Sequence, residues 1–287
     1  MKERASSPNK MGNLGKFPQE FFRTIITEIK PYSTLLLGVK DTGRGQILPF
    51  RASGTFVRSG NLFCILTANH FCSDLRGCDY LGLVIHKEEH QFMIRRSDLH
   101  IIDVAVPAVQ GRDPDISIIV ILSSEKLGTI GASQKTFYNL DRYRDGVLND
   151  LWPAEKGVWV VVGYPEAKRE EIYTPYAGGL QLILLSQEMY AFGGLARESQ
   201  LKDFDLLELD VEESCENIPN TLVGISGGGI WQIPVIEQGS EIRFNPPLLS
   251  GMAFSEERQA GSLKTVRCHG RMSLYRKVFE KLQEFKH

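Results

Sequence analysis

No apolar run in this 287-residue sequence is long enough to cross a membrane as a helix, which takes about 20 residues. The longest runs, at 116–122 and 158–163, have the length of buried strands. Residues 1–16 are polar, rich in Ser, Asn, Lys and Gly, and lack the apolar centre of a secretory signal. A disordered tail, a cytoplasmic setting and no membrane partner are therefore expected. Cysteine is scarce, with five residues at 64, 72, 78, 215 and 268. An odd number at irregular spacing makes a poor disulfide framework and predicts buried free thiols. No two lie within four residues of each other, the spacing that cysteine-based metal sites use, and neither a metal nor any other cofactor is expected. Charge of one sign is also missing: 33 Lys and Arg against 35 Asp and Glu leave a net charge of −2, with no field to draw nucleic acid.

What is present is an ordinary globular composition, 42% hydrophobic and 24% charged, in a chain that fits one large domain or two small ones. Phe21, Phe22, Ile25, Ile26 and Ile29 fall on one helical stripe between Pro18 and Pro31. The period then shortens. Strand-like segments follow at 33–39, 54–58, 62–67, 81–85, 91–95 and 116–122, divided by turn residues. The polar stretch 138–156 reads as a linker, and a second strand series occupies 158–163, 180–186, 205–210, 229–233 and 248–254. The mildly basic tail at 264–286 reads as a solvated helix face, with Leu274, Tyr275, Val278, Phe279, Leu282 and Phe285 on its apolar side. The expected organisation is a tail (1–16), a helix and first β-barrel (17–140), a linker (141–156), a second β-barrel (157–264) and a C-terminal helix (270–287). Periodicity alone fits a sandwich as well as two packed barrels.

Three segments carry candidate chemistry. In Gly224-Ile225-Ser226-Gly227-Gly228-Gly229, three glycines follow one serine at high cost in backbone entropy. Such a run suits a sharp turn that exposes a hydroxyl and aims N–H groups at a developing oxyanion, and it also suits a plain glycine-rich hairpin. In Leu66-Thr67-Ala68-Asn69-His70, an apolar strand delivers a histidine at its end. In Asp113-Pro114-Asp115-Ile116-Ser117-Ile118-Ile119, an acid enters a strand made for burial, where its carboxylate needs a partner to offset desolvation.

Together these segments resemble the trypsin-like, chymotrypsin-fold serine peptidases. Leu66-Thr67-Ala68-Asn69-His70 is similar to their Leu-Thr-Ala-Ala-His motif, Asp115-Ile116-Ser117-Ile118 to Asp-Ile-Ala-Leu, and Gly224-Ile225-Ser226-Gly227-Gly228 to Gly-Asp-Ser-Gly-Gly. The chain order His, Asp, Ser is that family's order. Ser53-Gly54-Thr55-Phe56-Val57, Val162-Gly163-Tyr164-Pro165 and Leu249-Ser250-Gly251-Met252-Ala253 resemble further strands of the fold, so the likeness spans roughly 33 to 262. It implies an all-β fold of two packed six-stranded antiparallel barrels with helices at both ends, in a disulfide-free intracellular bacterial type. It also implies roles. Ser226 would be the nucleophile, His70 the general base and Asp115 its orienting acid, with the Gly224 and Ser226 N–H groups as oxyanion hole. Asn220, Phe254, Ser255 and Glu256 would contact a polypeptide substrate. With Asn220 on the pocket floor where trypsins place an acid, a neutral side chain would be preferred for cleavage. The activity implied is a serine endopeptidase working through an acyl-enzyme, regulated in the cell and of a defence type. The alternative is a catalytically silent peptide- or partner-binding module, and the terminal helices are a surface for a regulatory protein partner.

Two departures from the family pattern stand out. Ile225 replaces the aspartate before the serine, and Gly229 replaces a common proline. Ile225 offers no charge to a new terminal amine, so activation by N-terminal cleavage is not expected, and Ile225 should pack beside Trp231 in the second barrel. Gly229 should loosen the loop. Gly224–Gly228 also fits the nucleophile elbow of α/β-hydrolases, but no Asp follows Ser226, and residues 229–234 read as strand where that fold needs a helix. His86-Lys87-Glu88-Glu89-His90 matches a zinc-peptidase motif that requires a helix, whereas its flanks read as a hairpin.

Overall fold

The computed structural model describes residues 17–42, 46–85, 91–154, 156–176, 179–211, 219, 221–238, 241–258 and 264–286. The first half forms β1 (Ser33–Asp41), β2 (Gln46–Ser59), β3 (Leu62–Thr67), β4 (Tyr80–Val84), β5 (Gln91–Arg95), β6 (Leu99–Ala105), β7 (Ile116–Ile121) and the short β8 (Tyr138–Asn139). The second half forms β9 (Val158–Gly163), β10 (Arg169–Tyr176), β11 (Gly179–Ser186), β12 (Met189–Leu201), β13 (Phe204–Val211) and β14 (Gly229–Ile233), then β15 (Val235–Gln238), β16 (Glu241–Phe244), β17 (Leu248–Arg258) and β18 (Lys264–His269). Among the described residues five α-helices join them: α1 (Gln19–Ile29), α2 (Asn69–Leu75), α3 (Ser124–Ala132), α4 (Leu140–Leu148) and α5 (Phe279–Lys286), the last continuing a π-turn at Ser273–Val278.

The all-β expectation holds, but only one of the two sheets closes. In the second half the order β12-β13-β18-β17-β14-β9 returns on itself through the β9–β12 pairing, giving a closed six-stranded antiparallel barrel. In the first half the order β5-β4-β1-β2-β3-β7-β6 curls without pairing its end strands, so the expected first barrel is an open half-barrel. Helices fill the gap. Phe71, Cys72 and Leu75 of α2 and Ile130 of α3 join the half-barrel's core with Leu36, Phe56, Leu83 and Ile119, burying apolar surface that strand pairing would otherwise have covered.

Strand β9 shows how the halves share a core. All six of its residues are buried. Trp159 and Val161 point into the closed barrel, while Val158, Val160 and Val162 point into a second cluster between the sheets. That is why 158–163 reads as a continuous apolar run and not as an alternation. The terminal helices cross over. Phe21 and Phe22 of α1 pack on Phe244 and Phe192 of the second half, with ring centroids 4.3 and 4.7 Å apart. Phe285 of α5 lies 4.6 Å from the His100 ring of the first half, and Gln283 Nε2 donates to Ser59 Oγ.

Two local expectations are corrected. The stretch 264–269 is not part of a helix face but β18, whose pairing with both β13 and β17 closes the barrel. The stretch 138–156 holds α4, its first turn capped by the Asn139 side chain, which accepts from the Asp141 and Arg142 N–H groups. Among the described residues no helix is long and apolar enough to cross a membrane, and no group of three His, Cys, Asp or Glu side chains could hold a metal ion. The His86–His90 motif, Cys215 and residues 1–16 lie outside the described residues.

Candidate active site

Strand β3 ends at Thr67, and α2 begins at Asn69, so His70 sits in the first turn of a short helix that springs from the strand end. Asp115 lies immediately before β7, the antiparallel neighbour of β3, and the register brings the two ends together, with Thr67 opposite Ser117. The carboxylate is held twice by one residue. Asp115 Oδ1 accepts the His70 backbone N–H at 3.0 Å, and Oδ2 accepts the Nδ1–H of its imidazole at 2.6 Å. The His70 side chain is 26% exposed and that of Asp115 0%, so the imidazole can be reached from outside while its acid is sealed. Neither Asp103 nor Asp113 takes this place. Asp103 binds Asn69, Ser117 and Arg76, and Asp113 caps its own loop at Val109.

Ser226 comes from the other sheet, on the turn that precedes β14. Two glycines flank it in left-handed conformations, Gly224 at φ +93° and Gly227 at φ +89°. A Cβ at Gly227 would stand 2.1 Å from the Ser53 carbonyl oxygen, so no side chain fits there. Ser53, on β2, ties the turn to the first half. Its N–H donates to the Ser226 carbonyl at 2.9 Å, its hydroxyl donates to the Gly224 carbonyl at 2.9 Å, and that hydroxyl accepts from the Tyr164 N–H at 2.8 Å. Both carbonyls are thus turned toward Ser53. Among the described residues the Gly224 and Ser226 N–H groups have no acceptor in the chain, which is the condition for receiving an external oxyanion. Sequence reading passed over Ser53 as a strand residue before the histidine. Nothing in its immediate sequence, where Arg51 and Thr55 are polar as well, sets Ser53 apart.

The Ser226 hydroxyl donates to the Phe254 carbonyl at 3.1 Å, and no hydrogen bond joins it to His70 among the described residues. Phe254, Ser255 and Glu256 belong to β17, which pairs with β14 from Leu248 to Met252 and with β18 from Met252 to Arg258. The Ser255 hydroxyl is buried without a partner among the described residues. Glu256 braces the approach to the serine: Oε1 accepts from Thr221 Oγ1 at 2.9 Å and Oε2 from the Leu222 N–H at 2.7 Å. Asn220 lies outside the described residues. The expected fourth contact is therefore without a position here.

Ile225 is buried, but not beside Trp231. It packs with Trp159, Val161, Leu222 and Ile230 inside the closed barrel, against Gly163. Trp231 is the next residue along β14 from Ile230, so it faces the opposite way, toward Tyr32 and Tyr138. Gly229 opens β14, and a Cβ there would meet the Trp231 indole nitrogen at 2.7 Å. One residue near this cluster was not singled out from sequence. His269, buried on β18, accepts the Asp115 backbone N–H through Nε2 at 3.1 Å. Burial pushes its pKa down to about 3, against the opposing pull of the Asp115 charge. Searched against protein-family models and against curated proteins, the chain matches none.

Proposed function

We propose that this protein is a serine endopeptidase of trypsin-like type, hydrolysing polypeptide substrates with Ser226, His70 and Asp115. What supports the reading is a carboxylate-bound, reachable imidazole from one half and, from the other, a serine on a glycine turn whose Gly224 and Ser226 N–H groups have no acceptor among the described residues. In the reaction the Ser226 hydroxyl turns from the Phe254 carbonyl to His70 Nε2 and gives up its proton there as Oγ attacks the scissile carbonyl. The Gly224 and Ser226 N–H groups receive the oxyanion, worth about 3–4 kcal/mol per donor in comparable sites. His70 returns the proton to the leaving amine, and the Asp115 carboxylate holds the imidazole in the required tautomer throughout. Water then attacks the acyl-enzyme by the same route. The open side of β17 beyond Met252 would pair with substrate backbone, and the Glu256 brace would keep the Thr221–Leu222 segment in place beside it.

A second reading, a silent peptide- or partner-binding module of the same fold, draws on the Ser226–Phe254 hydrogen bond, which leaves the hydroxyl away from His70. Ser226→Ala and His70→Ala decide between them. Each should abolish hydrolysis of a peptide or ester substrate with little change in unfolding midpoint, and the double variant should be hardly worse than either. Undiminished turnover by Ser226→Ala would overturn the assignment.

A further inference from the structure

His269 is 0% exposed, yet it is flat, polar and far from any surface role. It stands on β18 opposite Met252 of β17 and Leu206 of β13, so its backbone is fixed on both sides by the closed barrel. Its side chain leaves that barrel's business and touches both parts of the candidate site. Nε2 accepts the Asp115 N–H at 3.1 Å, across 154 residues of sequence and across the boundary between the sheets. The ring stacks on Phe254, with centroids 4.5 Å apart and planes at 27°, and the Phe254 carbonyl is the one that holds the Ser226 hydroxyl. Nδ1 is buried with no partner among the described residues.

We propose that His269 is a positioning residue that couples the two halves of the site, anchoring the Asp115 backbone through Nε2 and backing Phe254 with its ring. This rests on the peptidase reading of Ser226, His70 and Asp115. The chemistry of the position is narrow. The Asp115 N–H is buried and would otherwise have no acceptor, a costly state for a backbone donor. An acceptor there requires a neutral imidazole with its proton on Nδ1, since Nε2 must offer a lone pair. A flat ring is needed as well, because Phe254 lies against it. Phenylalanine would supply the ring without the acceptor, and glutamine the acceptor without the ring. A histidine tolerating an unpartnered Nδ1–H in the interior is the residue type that meets both demands at once. A displaced Asp115 backbone would carry its carboxylate with it, and both hydrogen bonds to His70 would lengthen.

The test begins on the unaltered full-length chain. Imidazole nitrogen NMR at pH 7 should find His269 protonated on Nδ1 and bare on Nε2. A proton on Nε2 would overturn the proposal, because that nitrogen could not then accept from Asp115. In His269→Phe, the low-field Nδ1–H resonance of His70 should move from its native position, and labelling by a fluorophosphonate probe should slow about tenfold or more, with His269→Gln recovering part of the rate. A His70 resonance unchanged in His269→Phe would also overturn it. If the probe fails to label the wild-type protein, the peptidase reading falls, while the imidazole spectra still decide the role of His269.

Discussion

At Gly227 the backbone sets the terms. Its φ of +89° is left-handed, and the space where a Cβ would go is taken by the Ser53 carbonyl oxygen and by Thr67, both parts of the first half. Gly227→Ala should therefore cost on the order of 3 kcal/mol, read as a lower urea midpoint, since strain and a backbone clash add. A loss under half of that would mean the turn can move away from Ser53. His269 makes a second prediction at this scale. Its folded pKa of about 3 lies below the ordinary value of 6.5, with burial and Arg267 lowering it and Asp115 raising it. Between those values the unfolded chain binds a proton that the folded one does not, so stability is full above pH 6.5 and falls as pH drops toward 3. The limiting slope is about 1.4 kcal/mol per pH unit. Unfolding midpoints measured from pH 7 to 5 should fall less steeply in His269→Phe than in wild type. Parallel slopes would show that His269 does not titrate on unfolding.

Elements differ in how plainly the sequence announces them. Strands such as β3, β5, β9 and β14 are read to the residue because a short apolar run bounded by turn residues has few other uses. The stripe of α1 is equally plain, and Phe21, Ile25 and Ile29 are its buried side. Helix α3 is not, because Gly128 and Gly131 lower its propensity and only Ile130 is buried. Strand β18 hides for another reason. Lys264 and Arg267 punctuate it, and their pattern merges with the basic helix that follows. The candidate site was legible as three motifs, since chemistry demands particular residue types at each. Ser53 and His269 were not, because each acts through a contact more than 100 residues away that no local pattern records. Helix α5 offers a test of the crossed straps. Leu282 is fully buried in the cluster between the sheets, and Leu282→Ala should lower stability by about 2–4 kcal/mol. A change below about 1 kcal/mol would show that the strap is dispensable.

For the molecule as a whole, the arrangement places one part of the candidate site on each side of a shared core. The half-barrel brings His70 and Asp115, the closed barrel brings Ser226, and Ser53 and His269 each reach across with hydrogen bonds to the other half. Ile225 fills the space behind the serine turn with hydrocarbon, inside the closed barrel and against Gly163. On this account the intact chain is competent without cleavage near its N-terminus. The most direct test is intact-protein mass spectrometry after treatment of the full-length chain with a fluorophosphonate, followed by peptide mapping. The account predicts a single adduct on Ser226, absent from Ser226→Ala and strongly slowed in His70→Ala. A wild-type protein that stays unmodified, or one modified at another serine at the same rate in all three proteins, would contradict it.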